Sequence, residues 1–162
     1  MPVLMQSKPI ISDTSCFIAL SNIGELDLLR LLYGGITTTP DIAQEFGEPL
    51  PDWVEIVAVS DKTKQRLLEV QIDKGEASAI ALALEIENPL LILDDYKARK
   101  LADNLKLNHT GTIGVILAAK RKGVISNIKP FLKKIKQTNF RISPELEHQA
   151  LIEANELAGV DL

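Results

Sequence analysis

The stretch Leu90-Leu-Ile-Leu-Asp94-Asp95 joins four consecutive apolar residues to two adjacent acids. A short apolar run of this kind, bounded by turn residues, predicts a strand that is buried on both faces, as in a parallel sheet. A second short run, Pro9 to Ser12, is followed in the same way by Asp13. Because the carboxyl ends of parallel strands share one edge of a sheet, acids at these ends are expected to converge there.

Short strands alternate with helical patterns along the rest of the chain. Strands are predicted at 9–12, 36–39, 54–59, 90–93 and 107–110, and helices at 15–21, 25–33, from Pro40 past Glu45, from Asp61 to about Val70, and at 75–87, 96–105, 111–122, 129–136 and 145–157. This alternation predicts an α/β fold with a mainly parallel sheet and helices on both faces. With 162 residues and no linker-like tract, residues 1–162 are predicted to form one domain, on which a helical segment of about 128–158 packs.

The composition is that of a globular protein, with 46% apolar and 25% charged residues. One cysteine, Cys16, excludes an internal disulfide framework, and we interpret it as a small buried apolar residue in a reducing compartment. No apolar stretch approaches the ~20 residues needed to span a bilayer, and the N-terminus lacks the pattern of a secretion signal. These features predict a cytoplasmic protein.

The net charge of −4 conceals a segregation of charge along the chain. Residues 1–95 carry a net charge of −10, residues 96–141 carry +11, and residues 142–162 carry −5. A segment as basic as 96–141 would attract a polyanion such as a nucleic acid. The alternative is a solvated face that pairs with the acidic half of the chain, and the sequence leaves both interpretations open.

Acidic residues stand at the ends of predicted strands or within the first two turns of predicted helices: Asp13, Glu45, Glu76, Asp94 and Asp95. Each has an ordinary structural alternative, because such acids cap helices, stabilise helix N-termini or are simply solvated. Capping explains only one member of the adjacent pair at 94–95. Converging carboxylates repel each other unless a divalent cation neutralises them, and hard oxygen ligands select Mg²⁺ or Mn²⁺. A metal-dependent site that acts on phosphate is therefore the leading hypothesis.

Several short motifs, taken in order, resemble the PIN-domain nuclease family. The motifs are Ile-Ser-Asp13-Thr14-Ser15, Pro40 with Glu45, Gly75-Glu76-Ala77, Leu-Asp94-Asp95-Tyr-Lys-Ala98-Arg99 and Thr110-Gly111-Thr112-Ile-Gly114. The likeness extends over most of the chain. It is closest to a toxin-like subgroup in which Gly-Glu-Ala replaces the commoner Asp-Ala at the third acidic position.

The resemblance implies a three-layer α/β/α sandwich, a Mg²⁺ or Mn²⁺ site, endonucleolytic cleavage of RNA and, for many relatives, a toxin silenced by a small antitoxin. It implies catalytic roles for Asp13, Glu45, Glu76, Asp94 and Asp95, with Asp13, Glu76, Asp94 and Asp95 as metal ligands. Weaker predictions place Ser15, Thr112, Lys120, Arg121 and Lys122 in contact with nucleic acid. The apolar residues Ile18, Leu28, Leu29 and Leu32 are predicted to form a dimer or antitoxin surface, or else part of the core. A non-catalytic PIN-fold binding or regulatory module is the alternative function.

Overall fold

In the computed structural model, which describes residues 8–157, five short strands form one parallel sheet. The strands are β1 (Ile10–Ser12), β2 (Ile36–Thr38), β3 (Val54–Ile56), β4 (Leu90–Ile92) and β5 (Asn108–Thr110). Their order in the sheet is β3-β2-β1-β4-β5. Each neighbouring pair is parallel, with Ser12 opposite Ile92 and Thr38 opposite Ile56. The predicted parallel sheet is thus confirmed.

Helices cover both faces of the sheet, which confirms the predicted α/β/α sandwich. They are α1 (Thr14–Asn22), α2 (Asp27–Tyr33), α3 (Pro40–Phe46), α4 (Lys62–Leu68), α5 (Lys74–Ala83), α6 (Tyr96–Asn104), α7 (Thr112–Arg121), α8 (Lys129–Lys136) and α9 (Pro144–Glu153). In the part of the chain that the structure describes, no helix has the length and apolar character required to cross a membrane.

The core lies on both sides of β1 and β4, where Ile11 and Leu91 are fully buried. Helix α5 is buried along almost its whole length, from Ala77 to Ala83, because small alanine side chains let it pack closely against its neighbours. Leu28, Leu29 and Leu32 also belong to this core, so of the four apolar residues considered for a docking surface only Ile18 is exposed.

Two predicted helices end earlier than their patterns indicate. Helix α5 ends at Ala83 instead of Glu87, and the Glu85 carboxylate accepts hydrogen bonds from the backbone N–H groups of Ser60 and Asp61. Helix α9 ends at Glu153 instead of Leu157, because Asn155 adopts a left-handed backbone conformation with φ 58°.

The left-handed turn at Asn155 brings Glu156 back to the start of α8. Its carboxylate accepts hydrogen bonds from the backbone N–H groups of Ile128 (2.7 Å) and Lys129 (3.0 Å), and from Lys120 Nζ (2.9 Å). Lys120 Nζ also donates to the carbonyl oxygen of Ala154. Glu156 therefore fastens the C-terminal turn to α7 and α8.

Replacing Glu156 by glutamine is expected to lower the free energy of unfolding by about 2 kcal/mol, because a buried, charge-assisted acceptor is lost. Burial raises the pKa of Glu156, but hydrogen bonds from Ile128 and Lys120 outweigh it and hold this pKa below its ordinary value. The stabilisation should accordingly be present at neutral pH and disappear as the pH falls through the lowered pKa. Urea unfolding at pH 7 and pH 3 measures both effects. The exposed neighbour Glu153, changed to glutamine, serves as the control and should alter stability by less than about 0.5 kcal/mol.

Candidate metal centre

The order of the strands creates a switch point between β1 and β4. From β1 the chain proceeds through β2 to β3 on one side of the sheet, whereas β4 and β5 lie on the other side. Ligand sites in open α/β sheets form at such a point, outside the carboxyl ends of the two strands. Asp13 directly follows β1 and Asp94 follows β4 after one further residue, so both acids stand at this position.

Asp13 and Asp94 are both fixed by hydrogen bonds. Asp13 is 3% exposed and caps α1, since its Oδ1 accepts from the Cys16 N–H (3.0 Å). Its Oδ2 accepts from the backbone N–H of Asp94 (3.1 Å). The two carboxylate oxygens of Asp94 accept in turn from the backbone N–H (2.8 Å) and hydroxyl (2.6 Å) of Thr112. The backbone N–H groups of Cys16 in α1, Asp94 just before α6 and Thr112 at the start of α7 therefore hold the two carboxylates in one arrangement.

This arrangement is electrostatically unfavourable in the absence of a cation. Burial, together with the nearby charge of Asp94, raises the pKa of Asp13 to about 8, even though the N–H groups of Cys16 and Asp94 lower it. Glu76 adds a smaller contribution of the same sign. Strongly raised carboxyl pKa values in a cleft are typical of functional sites rather than of surface caps.

Glu76 and Asp95 complete the acidic cleft, which we define as the space lined by Asp13, Glu45, Glu76, Asp94 and Asp95. Glu76 lies in the first turn of α5, and its half-burial together with the charges of Asp73 and Asp95 raises its pKa to about 7. Asp95 is exposed and caps α6 by accepting from the N–H of Ala98 (3.0 Å). Asp95 therefore caps its own helix, whereas Asp94 accepts from the first backbone N–H of a different helix, α7.

Glu45 reaches the cleft through two residues that lie far from it in sequence. Its Oε1 accepts a hydrogen bond from the hydroxyl of Thr14 (2.6 Å), the residue next to Asp13. A Cβ atom at position 75 would lie 2.5 Å from the same oxygen, so glycine is needed there for Glu45 to approach. Glu76 is thus one acid of the cleft, and the adjacent Gly75 leaves the space that the Glu45 carboxylate occupies.

The cleft has two connected parts. One part, of about 350 Å³, is lined by Asp13, Glu45 and Glu76 among others, and the other, of about 700 Å³, by Glu76, Asp94 and Asp95. Ser15 and Glu76 line both parts. All five predicted acids are therefore placed around one cleft.

The donor chemistry of the cleft fits a hard divalent cation. Within residues 8–157, no three Asp, Glu, His or Cys side chains are arranged closely enough to hold a metal ion between them. Mg²⁺ is commonly held through one or two carboxylates and retains several waters, so a fixed pair such as Asp13 and Asp94 is a suitable anchor. Glu76 and Asp95 stand beside that pair as further oxygen donors.

The residues predicted to contact nucleic acid fall in different places. Ser15 lines the cleft, whereas Thr112 is completely buried and positions Asp94. Lys120, Arg121 and Lys122 lie at the opposite end of α7, about 12 Å or more along the helix from Thr112. Lys120 is held there by Glu156. The structure does not bring these three basic residues to the acidic cleft.

Sequence reasoning missed four residues that shape the cleft. Thr14 holds Glu45, and Asp73 caps α5 beside Glu76. Arg99 and Arg141 line the larger part of the cleft. The hydroxyl after Asp13 offered a weak signal for Thr14, but an arginine in an amphipathic helix is indistinguishable from a surface charge.

The structure combines an α/β/α fold with carboxylates at the switch point of a five-stranded parallel sheet, where ligand sites of open α/β sheets form. A family model described as a PIN domain matches residues 9–156, and the chain therefore belongs to the PIN-domain family. No curated protein and no solved structure gives a significant match. The predicted resemblance to this family is confirmed.

Proposed function

We propose that this protein is a Mg²⁺- or Mn²⁺-dependent endoribonuclease that hydrolyses RNA phosphodiester bonds. The observation that carries the proposal is the fixed pair of Asp13, which is buried, and Asp94, which is half-buried and donates its backbone N–H to the Asp13 carboxylate. In the described part of the chain, none of the four predicted metal ligands forms an ion pair with lysine, arginine or histidine. Buried uncompensated charge is costly, so the cleft favours an external cation.

Asp13 and Asp94 would hold the ion directly, and Glu76 and Asp95 would hold it through water molecules that the ion retains. When bound, a divalent ion lowers the pKa of a water molecule and neutralises negative charge on the phosphate. Thr112 keeps both oxygens of Asp94 oriented, and the α1 N-terminus does the same for Asp13. Glu76 lines both parts of the cleft, and we assign it the acceptance of the proton from the attacking water. Glu45, which accepts a hydrogen bond from Thr14, lines the smaller part of the cleft together with Asp13.

The choice of RNA rests on family membership and on charge. Lys97 of α6 lines a cavity together with Glu76 and Asp95 of the acidic cleft, and Lys97 and Lys100 line a further cavity that contains none of the cleft acids. Contacts of this type bind the phosphate backbone without reading bases. Aromatic residues are only 4% of the chain, so a broad base-stacking surface is not expected.

Millimolar Mg²⁺ or Mn²⁺ is expected to raise the melting temperature, because an ion that binds only the folded protein stabilises it by mass action, by about 2.7 kcal/mol at one hundred times Kd. Asp13→Asn should abolish the shift. The matched control is Asp61→Asn, which changes the capping acid of α4 away from the cleft. Differential scanning fluorimetry with and without EDTA measures the effect, and an equal shift for both variants would rule out the cleft as the binding site.

We further propose that the nuclease acts in the cytoplasm as the toxin of a toxin–antitoxin pair, a role supported by the resemblance in its Gly75-Glu76-Ala77 motif. Controlled expression in a bacterial host should arrest growth and deplete RNA for the wild type, but not for Asp13→Asn. Equal growth combined with RNA cleavage in vitro would assign the nuclease another role. Equal growth without cleavage by either ion would favour the non-catalytic binding module.

A further inference from the structure

Arg99 is a cation inside the acidic cleft that has no acidic partner. It is the fourth residue of α6, is half-buried, and lines the part of the cleft that holds Glu76, Asp94 and Asp95. Within residues 8–157 it forms no ion pair, and its only side-chain hydrogen bond is a long one of 3.5 Å from Nη1 to the carbonyl oxygen of Leu93. Most of its five N–H donors are therefore without a protein acceptor.

The neighbouring carboxylate of Asp94 forms no ion pair with Arg99 and instead accepts hydrogen bonds from Thr112. Both oxygens of Asp94 accept from Thr112, which turns the carboxylate toward α7. Gly111 separates the two side chains, since a Cβ atom there would lie 2.7 Å from Arg99 Nη1 and 2.9 Å from Asp94 Oδ1. Because residue 111 has no side chain, the Arg99 guanidinium and the Asp94 carboxylate can both lie close to its Cα atom without forming an ion pair.

An unpaired guanidinium at this position has the geometry and charge to bind an anion that enters the cleft. Its planar fork matches two oxygens of a phosphate, and such bidentate contacts are stronger than those of an ammonium group. The surrounding cavity of about 700 Å³ is large enough for a nucleotide. A phosphate placed here would have the carboxylates on one side and the guanidinium on the other.

We propose that Arg99 binds a phosphate of the nucleic-acid strand beside the scissile bond and so sets the register of the strand over the carboxylates. This inference rests on the proposed nuclease function. Arg99 holds the strand and neither donates nor accepts the proton of the reaction.

The test couples the residue to a single phosphate. A set of fluorescent oligoribonucleotides carries one neutral methylphosphonate linkage at successive positions around the cleavage site. For the wild type, one position near that site should reduce both binding and kcat/KM by about 10- to 100-fold. In Arg99→Gln the methylphosphonate at that position should reduce neither binding nor kcat/KM any further, because the contact to the phosphate is already absent. Arg99→Lys should retain part of the coupling, since it keeps the charge but lacks the fork.

Arg121→Gln is the matched control, because it removes an exposed arginine at the far end of α7 and should leave the wild-type pattern unchanged. Circular dichroism melts establish that each variant is folded. Wild-type cleavage with the same methylphosphonate penalty in Arg99→Gln would overturn the role of Arg99 and leave the nuclease function intact. Coupling in binding without any cleavage would support the phosphate contact but refute hydrolysis. A wild type that neither binds nor cleaves would overturn both.

Discussion

Replacing Asp13 by asparagine is expected to reduce RNA cleavage by about a thousandfold or more, because the variant removes one charge of the fixed pair that anchors the cation. Asparagine is as good a helix cap as aspartate, so α1 should keep its N-terminal hydrogen bond to Cys16. The loss should appear in kcat, and raising the Mn²⁺ concentration should restore it only in part. Cleavage of a labelled oligoribonucleotide at saturating substrate measures the effect.

Asp61→Asn is the control for this variant. Asp61 also caps a helix, but its backbone N–H donates to Glu85, which follows the end of α5. Glu76 of the cleft lies at the start of α5, so Asp61 is at the other end of that helix from the cleft. Its cleavage rate should equal that of the wild type. If Asp13→Asn cleaved as fast as Asp61→Asn, the carboxylate at position 13 would have no part in the reaction.

The second large effect is on stability without metal. The pKa of Asp13 is raised from about 4 to about 8, and that of Glu76 to about 7, so the folded protein holds protons that the unfolded chain releases. Stability in EDTA should therefore be greatest near pH 4 to 5 and fall as the pH rises to 8. Each unit of pKa difference corresponds to about 1.4 kcal/mol, so the fall should amount to several kcal/mol, mostly from the buried Asp13, because solvent screens the half-exposed Glu76.

Asp94→Asn should reduce this fall. Asparagine can accept from the Thr112 backbone N–H and donate to the Thr112 hydroxyl, so both hydrogen bonds persist while the charge that repels Asp13 disappears. We expect the variant to be more stable than the wild type at pH 8 by about 1–2 kcal/mol in EDTA, and to be inactive. Urea unfolding from pH 5 to pH 9 measures both curves. Asp52→Asn, at an exposed position, should leave the wild-type dependence of stability on pH unaltered. A wild-type stability that does not change with pH would contradict the proposed electrostatic repulsion in the cleft.

The fold could be predicted from the sequence because its signals are local. The apolar runs ending at Ser12 and Leu93 predict buried strands, and Pro40, Asp61 and Gly111 mark helix starts close to where they occur. The predicted ends of α5 and α9 were wrong: beyond each observed end a glutamate, Glu85 or Glu156, bonds to distant backbone groups, and Asn155 turns the chain after α9. Such contacts leave no periodic signal.

The site could be predicted only in part, for the same reason. Parallel strands place Asp13 and Asp94 at one edge, but their direct contact depends on β1 and β4 being neighbours, which no local pattern specifies. The position of Glu45 depends on Thr14 and Gly75, each about 30 residues away. The basic residues 120–122 were predicted to contact nucleic acid, but they lie at the end of α7 that is far from the cleft. The charge pattern along the chain does not show which end of a helix faces a cleft.

The chemistry of the cleaved ends tests the central proposal most directly. Wild-type protein is incubated with a labelled oligoribonucleotide and Mg²⁺ in H₂¹⁸O, and the products are analysed by mass spectrometry. Attack by water predicts a linear phosphate at one new end that carries one ¹⁸O atom, no 2′,3′-cyclic phosphate, and no products in EDTA. Cleavage should persist when the nucleotide at the scissile bond is 2′-deoxy. A cyclic phosphate, or equal cleavage in EDTA, would contradict metal-dependent hydrolysis at these carboxylates.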